Sequence, residues 1–247
     1  TDQDNALILA DVDGGSPPDK ARWLVFARDV NEALDACGYP LCKGNIMASN
    51  PDCCLTLTEW QQRFTHWIDQ GSPRDLLNAS IYFDFRCLVG QTALADRLRA
   101  SVTQRARGNP RFLRQLALNG LTQSAPLNWL GQIDTTEVDG QATLDLKLQG
   151  TAIFVDVARL YALAQGVVAT GTRERFEAVG PLLGVPEPEH QAWVGGFEFL
   201  QMLRLRAQLD GSAVGGNPNR MAIHHLNDID RRILKETLRV LRALQQR

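Results

Sequence analysis

Short apolar runs and amphipathic stripes alternate along the first hundred residues. Residues 6–10 are apolar and lead into Asp11-Val12-Asp13-Gly14-Gly15, which predicts a buried strand followed by a turn. A helix is predicted next, from an N-cap at Ser16 to a stop at Gly38. Residues 44–48 indicate a second short strand. The predicted helix repeats apolar residues along one face, at Trp23, Phe26, Val30, Ala33, Leu34 and Cys37.

Two further helix starts follow in the same half of the chain. Thr56-Leu57-Thr58-Glu59 has the residues of a capping box. Ser72-Pro73-Arg74-Asp75 repeats the start signal, and the segment behind it runs to Gly90. The helix predicted at the capping box has an apolar stripe at Leu57, Trp60, Phe64, Trp67 and Ile68.

A breaker, Gly108-Asn109-Pro110, lies inside an arginine-rich stretch from Arg97 to Arg114. We place a domain boundary there, between residues 1–107 and 108–247. Because Phe112 is the single aromatic residue among the arginines, they form no series of rings on which bases could stack, and we interpret them as the solvated sides of two helices. The fold class predicted is an α/β domain followed by a mainly α-helical bundle domain with a short β-hairpin.

The hairpin is predicted between Thr135 and Leu148, where Asp139-Gly140 stands between alternating apolar positions. Residues 215–219 are interpreted as a loop, because they lack the Gly-Lys-Ser/Thr ending of a phosphate-binding loop. Long helices are predicted at 153–165, 188–209 and 226–246.

Composition narrows the class of protein. The 247 residues are 44% hydrophobic and 22% charged, with a net charge of -2, which is typical of globular domains and gives no reason to expect nucleic-acid binding. No apolar run reaches the roughly 18 to 20 residues that a membrane helix needs. The five cysteines form no Cys-x-x-Cys pair, so we expect reduced thiols in a cytoplasmic protein rather than a metal site.

The residues with the clearest chemical potential are Asp2 and Asp4, directly before the first predicted strand. Side chains at i and i+2 of an extended chain project from the same face. Two such carboxylates can hold one or two Mg²⁺ ions against a triphosphate, because Mg²⁺ favours a few carboxylates together with phosphate oxygens. The alternative is a pair of solvated acids near a chain end, since Asp-x-Asp alone matches many loops.

Several segments resemble one nucleotidyltransferase family. In bacteria this family usually follows CBS or cyclic-nucleotide-binding domains, and it is related to PII uridylyltransferases and glutamine-synthetase adenylyltransferases. The similar segments in the first half are residues 1–8, 42–51, the Glu59-Trp60 helix and 78–86, and those in the second half are 145–163, 199–208 and 226–238.

The resemblance implies a polymerase-β-like nucleotidyltransferase domain in which Asp2 and Asp4 bind two Mg²⁺ ions. The family also has a Gly-Ser motif just upstream of Thr-Asp-Gln-Asp, and this sequence, which lacks an initiator Met, starts after it. We therefore expect residues 1–107 to be an N-terminally incomplete catalytic domain with little or no transferase activity alone. Residues 108–247 would be the helical substrate-binding domain, and regulatory CBS or cyclic-nucleotide-binding domains would lie upstream.

Asp84 is the candidate for a third active-site carboxylate. If residues 73–89 are helical, Asp84 shares an apolar face with Leu77, Ile81 and Leu88, and a carboxylate there is costly unless it is paired or bound to metal. The alternative is a structural ion pair with Arg86 in an extended segment, and Arg86 is also a candidate substrate contact.

Seven more residues are candidates for nucleotide or substrate binding. Lys43, Ser49 and Asn50 flank the predicted second strand, where they would lie beside the carboxylates and meet phosphate, ribose or base; a solvated turn is the alternative. Lys147 and Asp156 fall where the PII-modifying relatives carry an Asp-Leu-Lys motif. Arg204 and Arg206, within an apolar helix, would reach the substrate or else form structural pairs.

The leading hypothesis is a Mg²⁺-dependent nucleotidyltransferase that moves a nucleoside monophosphate from ATP or UTP to a protein or small-molecule acceptor. The main alternative is a non-catalytic nucleotide-sensing or interaction module of a larger bacterial signalling protein. A third hypothesis, a helical scaffold that only dimerises, predicts no binding of metal or nucleotide.

Overall fold

The computed structural model describes residues 2–11, 18–71 and 82–247. The chain divides into two compact units, Thr1–Arg105 and Ala106–Arg247. The described residues form an α/β arrangement in the first unit and a mainly helical one with antiparallel strands in the second, which confirms the predicted fold class. Within the described ranges, no helix is both long and apolar enough to cross a membrane.

The first unit contains two parallel strands joined through a helix. Strand β1 (Leu7–Leu9) pairs with β2 (Cys54–Thr56), with Leu7 opposite Cys54 and Leu9 opposite Thr56. Helix α1 (Lys20–Ala36) lies between them in sequence, and α2 (Leu57–Gln70) follows β2. Helix α3 (Thr92–Arg107) includes the last residues of the first unit and the first two of the second. The three-residue β2 was not predicted, because it is compressed between a 3₁₀ turn (Pro51–Cys53) and the capping box of α2.

The second strand predicted at residues 44–48 is wrong. These residues form turns, and Asn45 has a φ of 57°, a left-handed conformation that interrupts an extended strand. The segment nevertheless lies beside the first residues of the chain, since the Asn5 amide donates to the Ile46 carbonyl at 3.1 Å.

Helix α2 confirms the sequence pattern in detail. The Thr56 hydroxyl accepts from the Glu59 amide at 3.2 Å, and the Glu59 carboxylate accepts from the Thr56 amide at 2.8 Å, which completes the capping box. The indole N–H of Trp60 donates to the Leu7 carbonyl at 2.9 Å and so ties α2 to β1. All the predicted stripe residues are buried, namely Leu57, Trp60, Phe64, Trp67 and Ile68.

Helix α1 exists as predicted, but its packed face was predicted wrongly. Ala27 and Asn31 are the buried residues, whereas Trp23, Phe26 and Val30 are 41%, 51% and 39% exposed. The face turned toward the start of the chain is partly polar because Asn31 is used there for hydrogen bonding. The helix begins at Lys20 with Asp19 as N-cap, and the predicted N-cap Ser16 lies outside the described residues.

The helix proposed for residues 73–89 does not continue past Tyr82, which is helical. Residues 72–81 lie outside the described ranges, and from Phe83 to Gly90 the backbone forms a turn and irregular structure. Leu88 is 74% exposed, so it does not share a buried apolar face with Asp84.

The second unit contains a three-stranded antiparallel sheet in the order β3-β4-β5. Strands β3 (Thr136–Val138) and β4 (Gln141–Asp145) form the predicted hairpin, and β5 (Arg220–Ala222) pairs with β4. Asp139 and Gly140 have φ values of 52° and 71°, as a type I′ turn requires. Strand β5 was not predicted, because three residues after a glycine-rich loop have no readable alternation.

Five helices complete the second unit as the structure describes it. They are α4 (Pro110–Gly120), α5 (Ala152–Gln165), α6 (Thr172–Leu182), α7 (Glu187–Leu209) and α8 (Asp228–Gln246). Helices α5, α7 and α8 match the predicted ranges within two residues, whereas α6 was not predicted. A π-helical turn, Lys147–Thr151, precedes α5 and is called the π-turn below. The core includes Phe154, Phe176, Trp193, Leu200, Leu234, Leu238 and Leu241.

Candidate functional site

Residues 2–6, which we call the carboxylate segment, precede β1 and alternate between buried and exposed side chains. Gln3 is 5% exposed and Asn5 is half-buried, whereas Asp2 and Asp4 are exposed. The Gln3 amide nitrogen donates to the carbonyls of Asn31 at 2.9 Å and Tyr39 at 2.8 Å. This alternation places the two carboxylates on the solvent side of the segment.

Asn31 of α1 is the centre of the network that holds this segment. Its Nδ2 donates to Gln3 Oε1 at 2.8 Å and to Asn5 Oδ1 at 3.0 Å, and its Oδ1 accepts from the Ser49 amide at 3.2 Å. Asn5 Oδ1 also accepts from the Ala48 amide at 2.8 Å. The carboxylate segment is therefore fixed between α1 and residues 39–49. The same hydrogen bonds hold the backbone that carries Asp2 and Asp4.

The donor set of Asp2 and Asp4 suits Mg²⁺. Carboxylate oxygens are hard ligands, and Mg²⁺ is usually held by one or two of them with water and substrate phosphates. Across residues 2–11, 18–71 and 82–247, no three or more His, Cys, Asp and Glu side chains form a group that could hold a metal ion. Asp84 is thus not joined to Asp2 and Asp4 in a three-carboxylate cluster there, and the fit is to a two-carboxylate site.

Lys43, Ser49 and Asn50 lie in the loop that borders the carboxylate segment. The Asn50 amide is used locally: Oδ1 accepts from the Asp52 amide at 3.0 Å as a helix cap, and Nδ2 donates to the Asn45 carbonyl at 2.9 Å. Ser49 is half-buried with its amide bonded to Asn31. Lys43 is exposed in a turn, where its ammonium faces solvent.

Asp84 and Arg86 follow the aromatic cluster of α2. Asp84 is half-buried in a turn after the buried Phe83, and Arg86 is exposed. Arg99 from α3 stacks over the Phe85 ring at 4.0 Å and donates to the Phe83 carbonyl at 3.4 Å. This turn is therefore held by contacts on both sides of Asp84.

Two of the predicted substrate contacts in the second unit form structural ion pairs. Asp156 accepts from Arg159 at 2.8 Å within α5, and the Arg159 side chain is only 7% exposed. Arg206 of α7 lies 3.2 Å from Asp230 near the start of α8. The geometry of Arg206 matches the structural pair considered for it, and Asp156 is paired within its own helix.

Arg204 is placed differently, although it is only two residues from Arg206. Its Nε and Nη2 donate to Asn219 Oδ1 at 3.1 and 2.9 Å, and its Nη1 donates to Thr151 at 3.2 Å and to Gln201 at 2.7 Å. Burial lowers the pKa of Arg204, and the negative charge of Asp145 opposes that shift.

Asp145 and Asn217 were not singled out from the sequence, yet they organise this part of the second unit. One carboxylate oxygen of Asp145 accepts from the amides of Lys147 at 3.0 Å and Leu148 at 2.8 Å. The other accepts from Asn217 Nδ2 at 2.8 Å, and Asn217 Oδ1 accepts from the Asn219 amide at 2.9 Å. Asp145 bonds to Asn217, 72 positions away, and Gln3 bonds to Asn31, 28 positions away. No sequence pattern predicts hydrogen bonds between residues so far apart in the chain, so none of these four residues was predicted.

Two family models match the chain. Residues 110–247 match the family described as Putative nucleotidyltransferase substrate binding domain, and residues 1–74 match the family described as Putative nucleotidyltransferase DUF294. Among curated proteins and solved structures, none matches this chain.

Proposed function

The chain belongs to the putative nucleotidyltransferase family with its substrate binding domain, and we propose that it serves a Mg²⁺-dependent transfer of a nucleoside monophosphate. The donor would be ATP or UTP, and the acceptor a protein or a small molecule. The observation that supports this most directly is the carboxylate segment, which presents Asp2 and Asp4 to solvent from a hydrogen-bonded base.

In this proposal, Asp2 and Asp4 would hold Mg²⁺ together with phosphate oxygens of the nucleotide. The ion would neutralise charge on the triphosphate and lower the barrier to loss of pyrophosphate. A bond forms between an acceptor oxygen and the α-phosphorus, the bond from that phosphorus to the leaving pyrophosphate breaks, and the acceptor's proton goes to solvent. Gln3, Asn5 and Asn31 act as positioning residues, because they hold the backbone between the two carboxylates.

The test is calorimetric titration of ATP and UTP in the presence of Mg²⁺, comparing the original chain with the double variant Asp2→Asn/Asp4→Asn. Loss of two metal ligands is expected to weaken nucleotide binding by at least about tenfold. The matched control is Asp29→Asn/Glu32→Gln, which removes the same formal charge from exposed positions on α1.

Equal weakening in both double variants would show a general charge effect and contradict the carboxylate site. Carboxylate-dependent binding without pyrophosphate release, in a chain extended upstream, would favour the nucleotide-sensing alternative. If neither the original chain nor the extended chain binds any nucleotide, the scaffold hypothesis remains.

A further inference from the structure

We infer that the second unit carries a binding site for an oxyanion, a phosphate or a carboxylate, built by Arg204 and Lys147 at the π-turn. The inference deepens the proposed function and rests on it in one respect only, that the anion belongs to the acceptor molecule.

The π-turn is a constrained piece of backbone. The Thr151 amide donates to the Leu146 carbonyl at 2.9 Å, and the Ala152 amide donates to the Lys147 carbonyl, so both bonds span five residues. Such turns are rare and occur frequently at functional sites. A Cβ atom on Gly150 would come within 3.0 Å of Leu200 Cδ1, so the turn packs closely on α7, the helix that carries Arg204.

Arg204 and Lys147 are both attached to this turn. Arg204 Nη1 donates to the hydroxyl of Thr151, the last residue of the turn, whereas Lys147 is the first residue and its backbone amide is bound by Asp145. The Lys147 side chain is exposed, and Arg204 is half-buried. The same five-residue turn therefore carries the exposed Lys147 at its first residue and is hydrogen-bonded to the Arg204 guanidinium at its last.

The positive charge of Arg204 is not neutralised by its hydrogen-bond partners. Its acceptors are the side-chain oxygens of Asn219, Thr151 and Gln201, all of them neutral. Within the part of the chain that the structure describes, neither Arg204 nor Lys147 forms an ion pair. A half-buried cation with neutral partners costs stability, and the lowered pKa of Arg204 reflects that cost.

Asp145 neutralises the positive charge of Arg204 and Lys147 only in part, because one carboxylate stands against two cations. Its two oxygens accept three hydrogen bonds, from two backbone amides of the π-turn and from Asn217. The negative charge of Asp145 acts on Arg204, where it opposes the effect of burial on the pKa, while the hydrogen bonds between the two side chains run through Asn217 and Asn219. Asp145 therefore orients the turn and the loop, and two cations remain against one carboxylate.

The chemistry of the vacant donors defines the ligand class. A guanidinium has five N–H groups, and four of the hydrogen bonds that Arg204 can donate are made, which leaves one N–H on Nη2 without an acceptor among the described residues. One directed N–H and one flexible ammonium suit an oxygen-bearing anion. A phosphate and a carboxylate share this chemistry, and the acceptor of the proposed transfer would carry one of them.

The experiment follows the Nε–Hε NMR signal of Arg204 in the ¹⁵N-labelled full chain, without Mg²⁺ and at constant ionic strength. The chain is titrated with inorganic phosphate and, separately, with acetate. A saturable shift of this signal with at least one of the two anions is expected, and the anion that produces it identifies the ligand class. Lys147→Gln, an exposed substitution that should leave the fold intact, is expected to weaken the apparent affinity at least threefold.

Arg206→Gln is the matched control, because it removes an equal charge two residues along α7 but from a residue paired with Asp230. It should leave the affinity unchanged. The inference is overturned if neither anion produces a saturable shift, or if Lys147→Gln binds as tightly as the original chain. Equal weakening by Arg206→Gln would also overturn it.

Asp2→Asn/Asp4→Asn separates this inference from the proposed function. Phosphate binding that survives in that variant belongs to the π-turn, whatever the nucleotide titrations show. If phosphate binding is lost in Asp2→Asn/Asp4→Asn, the anion is assigned to the first unit and the inferred site at the π-turn is rejected. If the π-turn binds an anion while Mg²⁺-nucleotide does not bind the chain, the site stands and the transferase proposal fails.

Discussion

At the scale of single residues, Gly180 sets how closely α6 and α7 pack. A Cβ atom at this position would lie 2.7 Å from Cγ and 3.0 Å from Cβ of His190, whose side chain is buried. These two atoms link the imidazole ring to the backbone, so a change of side-chain rotamer cannot move both of them away from the added methyl group. Gly180→Ala is therefore expected to lower the free energy of unfolding by about 1 to 3 kcal/mol, measured by urea denaturation.

Gly195→Ala is the control, since a Cβ on Gly195 of α7 meets no atom within 4 Å. Alanine has the higher helix propensity, so this substitution should raise the free energy of unfolding by about 0.5 to 1 kcal/mol. Effects of the same sign at both positions would contradict the packing argument.

Single residues also show how far the sequence predicts a site. Spacing alone places Asp2 and Asp4 on one side of an extended segment, and their exposure agrees with that placement. The sequence cannot show that Asn31, 28 positions after Gln3, supplies the partner that fixes this side. It also cannot separate Arg204 from Arg206, because only the fold brings Asn219 to the first and Asp230 to the second.

At the scale of elements, a charged pair joins α1 to α2. The Lys20 ammonium lies 2.6 Å from the Glu59 carboxylate, which also caps α2. The hydrogen bond from Lys20, and then that from the Thr56 amide, lower the pKa of Glu59 below its ordinary value of 4.5. The resulting stabilisation is complete above pH 4.5 and is lost as the pH falls through the lower, folded-state pKa.

Glu59→Gln tests this pair, because glutamine keeps the cap but loses the charge. At pH 7 the variant should be less stable by a few tenths to about 1 kcal/mol, the range for exposed pairs. Thermal unfolding from pH 7 down to pH 3 should show the difference between the two chains shrinking below pH 4.5. A difference that stays constant over this range, or an equal one in the exposed control Glu32→Gln, would contradict the assignment.

Among elements, predictability follows length and period. The stripes of α2, α5, α7 and α8 repeat over three or more turns, so each helix was predicted near its observed bounds. Strands β2 and β5 have three residues each, too few for alternation to register. The stripe of α1 predicted the helix but not its packing, because Asn31 turns a polar side toward the carboxylate segment while Trp23 and Phe26 stay exposed.

At the scale of the whole molecule, the second unit has a core of its own. The buried cluster that joins α5, α6, α7 and α8 runs from Ala125 to Leu244, with all its members in the second unit. Asn109 caps α4 directly after the predicted boundary, so a chain that starts at Gly108 keeps that helix start.

Residues 108–247 expressed alone are therefore expected to unfold in one cooperative thermal transition, which far-ultraviolet circular dichroism would monitor.

Leu200 is completely buried against Gly150, so Leu200→Ala in the same fragment should lower its free energy of unfolding by about 2 to 5 kcal/mol. The exposed Leu205→Ala is the matched control and should cost far less. The prediction is contradicted if the fragment unfolds without a sharp transition, or if Leu200→Ala leaves its stability unchanged. Either result would show that this core needs the rest of the chain.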